Sequence, residues 1–179
     1  MTRYPTVFHL ISAVCKKAGV SCVLVGGFAV NYYKFTRQTA DVDFLISSED
    51  FDKILPLLTE AGYKIDYAQD VFARLKGASS YSMDLDFMFV DRRTISEFAA
   101  HGKKITIAAQ TMIIPSLEHL IALKLHSIKH NPKLREYKDL PDIIQLVIMN
   151  KVDVKNSKFK DLCIKYGTEE LYHKLVKAV

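Results

Sequence analysis

Apolar residues recur along this chain at two periods, near 3.6 residues at both ends and near 2 in the middle, and each change of period marks an element. In Thr6–Ala18, Val7, Leu10, Ile11 and Val14 fall at helical spacing and Gly19 stops the run, which predicts an opening helix that covers a sheet. Cys22–Val25 is a short β-branched and apolar run, broken by Gly26-Gly27, and Phe28–Phe35 then has helical character. Asp41–Ile46 alternates, with two acids on one face and Val42, Phe44 and Ile46 on the other. Ser47-Ser48-Glu49-Asp50 is a helix start, with acids in the first turn. Phe51, Ile54, Leu55 and Leu58 form its buried stripe and Gly62 ends it, while Pro56 is expected to bend the helix or mark a second start.

Three strand-like runs follow, Tyr63–Tyr67, Val71–Lys76 and Tyr81–Val90, with Gly77-Ala78-Ser79-Ser80 as the turn between the last two. Asp91–Ala100 predicts a loop and a short helix, and Lys104–Ala108 and Thr111–Ile114 predict further strand pieces. Pro115-Ser116 closes the sheet region and caps a helix over Leu117–Lys129, so a domain seam is placed here, between 1–115 and 116–179. Leu117, Leu120, Ile121 and Ile128 make the apolar stripe of that helix, and Lys124 falls inside it. Asn131-Pro132 breaks the pattern, and Arg135–Ile143 leads into the next helix, which Asp139 or Asp142 would cap. Lys155–Tyr166 and Thr168–Val179 read as two terminal helices with a basic, exposed face.

The chemistry concentrates in Val23–Ser47. Two glycines after a strand let the backbone take positive φ and remove both Cβ atoms, so that a phosphate can approach the main chain. Thirteen residues separate Gly27 from Asp41-Val42-Asp43. Carboxylates held side by side repel one another, and a hard divalent cation such as Mg²⁺ relieves that repulsion while bringing a nucleotide's phosphates with it. In Met83-Asp84-Leu85-Asp86-Phe87-Met88-Phe89 the same alternation puts Asp84 and Asp86 on one face.

The glycine pair, the spacing and Asp-Val-Asp together resemble the signature of the DNA polymerase β-like nucleotidyltransferase superfamily. Arg37, Thr39, Asp41 and Asp43, in Arg-Gln-Thr-Ala-Asp-Val-Asp, are similar to the small bacterial enzymes around the AbiEii abortive-infection toxins. Minimal nucleotidyltransferases of toxin–antitoxin systems and antibiotic nucleotidyltransferases are more distant relatives. The run Leu-Ile-Ala-Leu-Lys-Leu, followed by Arg-Glu-Tyr-Lys-Asp-Leu-Pro-Asp-Ile, resembles the C-terminal part of the AbiEii-like enzymes and extends the likeness over roughly Val23–Leu146. The resemblance implies an α+β nucleotidyltransferase fold, a mixed sheet with flanking helices over 1–115 and a C-terminal helical segment over 116–179 that completes the nucleotide site. It implies two Mg²⁺ ions, or Mn²⁺, held by Asp41, Asp43 and Asp86, with Asp86 also the general base and Asp84 its rival. Nucleotide-binding roles are carried to Gly26, Gly27, Arg37, Thr39, Lys124 and Asp142. Two of these have structural alternatives, Arg37 as a bridge to Asp43 and Lys124 as a partner of Asp139 or Asp142. A lysine among core-facing positions costs desolvation unless an anion meets it, and the sequence reading sets the triphosphate or an active-site acid against it.

Composition narrows the partners. Hydrophobic residues at 49% and charged at 25% of 179 describe an ordinary soluble globular chain. Three scattered cysteines without CxxC spacing argue against a disulfide framework or zinc site and fit a reducing cytoplasm. Neither a signal peptide nor a membrane-spanning run is visible, so a cytoplasmic protein with no membrane partner is expected. The net charge of +5 suits a nucleotide and an RNA acceptor such as tRNA over a protein or a cationic drug. An antitoxin protein is a further expected partner. A catalytically silent NTP-binding module would have lost one of the carboxylates, and all are present.

Overall fold

The computed structural model describes residues 4–78 and 82–179; Ser79, Ser80 and Tyr81, which the sequence places in a turn and at a strand start, lie outside the described residues. The chain forms two compact units, one of residues up to Ala29 with Gln38–Ser116, the other of Val30–Arg37 with Leu117–Val179.

The first unit opens with α1 (Val7–Ala18), where the Thr6 hydroxyl caps the His9 N–H and Gly19 takes the left-handed conformation (φ 65°) that ends the helix. A two-residue strand, β1 (Val23–Leu24), is followed at once by α2 (Gly26–Tyr32), so the glycine pair forms the first turn of the helix and not a turn ahead of it. After β2 (Asp41–Ile46) comes α3 (Ser48–Glu60), capped by Ser47 and continuous through Pro56. Then follow β3 (Lys64–Gln69), β4 (Phe72–Lys76), β5 (Asp84–Phe89), α4 (Arg92–His101), β6 (Lys103–Ile107) and β7 (Gln110–Ile114).

Five strands make a mixed sheet in the order β1-β2-β5-β4-β3, in which only the central pair β2–β5 runs parallel; β6 and β7 form a separate hairpin. The reason for this centre lies in the side chains. Val42, Phe44, Leu85 and Phe87 are fully buried, and Phe44 stacks on Phe87 at 5.7 Å between ring centres, with Phe51 of α3 against Phe87 at 5.1 Å. Edge strand β3 is exposed along its whole length, Ile65 and Tyr67 included.

The second unit contains α5 (Leu117–His130), α6 (Pro132–Met149), α7 (Ser157–Tyr166) and α8 (Glu169–Ala178). Leu120, Leu125, Ile128, Ile143, Leu146, Val147 and Cys163 form its core. Asn150 Nδ2 donates to the Tyr33 carbonyl at 2.9 Å and fastens the segment that follows α2. Helix α6 starts at Pro132, where a missing N–H costs nothing, and continues through Pro141. Asp139 and Asp142 therefore lie inside the helix, and the expectation that one of them caps it is corrected. The reason is that both carboxylates are buried against the Lys124 ammonium.

Candidate active site

The parallel register of β2 and β5 sets Asp41 beside Asp84 and Asp43 beside Asp86. Alternation keeps all four on the face opposite Val42 and Phe44. Asp41, Asp43 and Asp86 each offer a carboxylate oxygen within 4.8 Å of the other two. This set of close, hard oxygen donors fits a divalent cation of the Mg²⁺ or Mn²⁺ type. Asp84 stands one rung away and is not a member of the set. Asp86 is buried, at 5% exposure, whereas Asp41 and Asp43 are partly open.

Local packing fixes the first two acids. The Val25 N–H donates to the Asp43 carbonyl at 2.9 Å, which brings Gly26 over the strand. Gly26 has φ 58°, and a Cβ there would stand 1.8 Å from Asp43 Oδ2. A Cβ on Gly27 would lie 2.5 Å from Thr39 Oγ1. The Thr39 hydroxyl in turn lies 3.1 Å from both the carbonyl and Oδ1 of Asp41, with one hydrogen shared between them. The glycines thus have a role that sequence reasoning did not supply. They admit the Asp43 carboxylate and the threonine that orients Asp41.

Arg74, which the sequence reading missed, joins the same cluster. Its Nε donates to Asp86 Oδ1 at 2.7 Å and its Nη2 to Oδ2 at 2.5 Å, a bidentate pair, and Nη2 is also 3.8 Å from Asp41 Oδ2. The Asp86 carboxylate, with Asp41 and Asp84 behind it, holds the Arg74 guanidinium still further above its ordinary range. The antiparallel register of β4 on β5 pairs Arg74 with Asp86 directly. A cation on a strand next to an acidic one was the available signal, but register is not written in the sequence.

Arg37, Lys124 and Asp142 are also brought together, in the second unit. Lys124 Nζ donates to Asp139 Oδ1 at 2.8 Å and to Asp142 Oδ2 at 2.7 Å. Arg37 Nη2 donates to Asp142 Oδ2 at 3.1 Å, and its main chain is clamped by both ends of the Asn31 amide at 3.0 Å. Lys124, Asp139 and Asp142 are all buried. The anions that the buried lysine demands are thus Asp139 and Asp142, and two cations face two carboxylates.

The mixed sheet followed by C-terminal helices is a nucleotidyltransferase fold. A family model described as uncharacterised nucleotidyltransferase matches residues 7–178, and the chain belongs to that family, making it a transferase of the nucleotidyl-transferring type. No curated protein matches the sequence. Among solved structures, ANT(2'')-Ia in complex with adenylyl-2''-tobramycin is similar at 17% identity and TM-score 0.64, over 89% of this chain and 94% of that one. An antigenic nucleotidyltransferase-like protein from Paracoccidioides brasiliensis is similar at 16% identity and TM-score 0.59, over 94% and 88%. The lincosamide antibiotic adenylyltransferase LnuA, lincomycin-bound, is similar at 20% identity and TM-score 0.55, over 78% and 93%. At these identities the likeness is one of fold. Among the described residues, no helix is long and apolar enough to cross a membrane.

Proposed function

We propose that this chain moves a nucleoside monophosphate from an NTP to a hydroxyl acceptor, with Mg²⁺ or Mn²⁺ held by Asp41, Asp43 and Asp86. The observation that carries the reading is the approach of three carboxylate oxygens within 4.8 Å on adjacent parallel strands. Bound there, two divalent ions would neutralise phosphate charge and lower the cost of charge developing on the attacking and leaving oxygens. The acceptor oxygen attacks the α-phosphorus, the bond to the bridging oxygen breaks, and pyrophosphate departs. Asp86 accepts the hydroxyl proton. Thr39 fixes the orientation of Asp41, and Gly26 and Gly27 leave room for Asp43 and for phosphates against the main chain. Arg37 is held by Asp142, which Lys124 holds in turn, and is the member of that network with the most exposed side chain, at 23%.

For the acceptor we favour an RNA hydroxyl, such as that of a tRNA, ahead of a protein, because a +5 chain attracts a polyanion. The AbiEii-like motifs extend this reading to a toxin with an antitoxin partner. A second reading, a small-molecule acceptor, is favoured by the neighbours of similar length, ANT(2'')-Ia with its adenylyl-tobramycin and LnuA with lincomycin. The test is incubation with each α-³²P NTP and Mg²⁺, with total tRNA, protein extract, tobramycin or lincomycin as acceptor. Label in RNA is expected. Label in the drugs selects the second reading, and no transfer to any acceptor overturns both.

A further inference from the structure

We propose that Arg74 sets the divalent-cation affinity of the Asp41–Asp43–Asp86 cluster by competing with the cation for Asp86 and Asp41. The proposal rests on the reading of that cluster as a metal site. Arg74 uses both oxygens of the Asp86 carboxylate, at 2.7 and 2.5 Å, and the same Nη2 that bonds Oδ2 reaches to 3.8 Å from Asp41 Oδ2. A cation held by Asp41 and Asp86 would compete with this nitrogen for their oxygens. An arginine that only oriented Asp86 would have no need to approach a second carboxylate.

The surroundings allow the exchange. Asp86 is nearly closed to solvent, with 7% of its side chain exposed, whereas 39% of the Arg74 side chain is open, so the guanidinium has water to enter when it leaves. Its long stem can swing while β4 stays paired to β5. The Arg74 guanidinium offsets the repulsion between Asp86 and Asp41, and a divalent ion of higher charge replaces it there. Arg74 therefore discriminates against weakly charged cations and keeps the site assembled before the nucleotide-bound ion arrives.

The test is Mn²⁺ titration of the full chain, read from the electron paramagnetic resonance signal of free Mn²⁺ at fixed ionic strength. Wild type, Arg74→Gln, Arg74→Lys and Asp41→Asn/Asp43→Asn are compared. Competition predicts that Arg74→Gln binds Mn²⁺ at least about tenfold tighter than wild type, because a repelling charge is gone. Its melting temperature without metal falls and rises more steeply with Mn²⁺ than that of wild type. Arg74→Lys, which keeps the charge without the bidentate fork, lies between the two and serves if the glutamine variant does not fold. Equal or weaker Mn²⁺ binding by Arg74→Gln and Arg74→Lys, with wild type binding and the double aspartate variant not, overturns the competition and makes Arg74 a positioning residue. Absence of Mn²⁺ binding in wild type and both arginine variants overturns the metal-site reading, and this proposal with it.

Discussion

Lys124 Nζ donates to Asp142 at 2.7 Å with both side chains under 10% exposed, and Asp139 accepts from the same nitrogen at 2.8 Å. Removing one partner of a buried pair leaves the other charge desolvated and unpaired, at a cost of about 3–5 kcal/mol. Lys124→Met, which keeps the stem's volume, is expected to lower stability on that scale in denaturant unfolding. Lys124→Met combined with Asp139→Asn should recover much of the loss, because Asp142 keeps its pair with Arg37. A fully stable single variant with abolished NTP binding would instead assign the lysine to the nucleotide.

Gly26 is the position where one added carbon does most damage. Its φ of 58° is unfavourable for alanine, by roughly 1–2 kcal/mol. The new Cβ would also overlap Asp43 Oδ2, and the carboxylate must move out of the cluster. Gly26→Ala should therefore lose both melting temperature and Mn²⁺ binding. Gly27→Ala, without positive φ and crowding the Thr39 side chain, should lose less of each, and thermal melts with and without Mn²⁺ compare them.

Asp86 and Asp84 occupy the same face of β5, two residues apart, yet only Asp86 lies in the carboxylate set. Asp86→Asn should cut transfer of label from α-³²P NTP by at least about a hundredfold, the usual scale for losing a general base. Asp84→Asn should remain within a few-fold of wild type. The opposite ranking would move the base to Asp84 and leave the fold as described.

The β6–β7 hairpin turns on Ala108 and Ala109, with φ of 48° and 59°. Two consecutive left-handed residues define a turn that favours Asn-Gly, and alanine tolerates it poorly. Replacing Ala108-Ala109 with Asn-Gly should stabilise the protein by about 1 kcal/mol, read as a higher urea midpoint at unchanged slope.

The features legible in the chain before folding are local ones. The α1 helix, its Thr6 start and its Gly19 stop follow from a 3.6 period and two sterically distinctive residues. The face shared by Asp41 and Asp43, and that shared by Asp84 and Asp86, follow from strand alternation alone, which acts between near neighbours. Tertiary structure decided what crosses between elements. That β2 and β5 run parallel with Asp43 beside Asp86 depends on burying Phe44 against Phe87, a contact between distant residues whose register no short window contains. Arg74 entered the site, and Asp139 and Asp142 became mid-helix partners of Lys124 instead of caps, for the same reason. A buried charge is placed by whichever opposite charge the packed chain brings within about 3 Å, and only the folded chain brings it there.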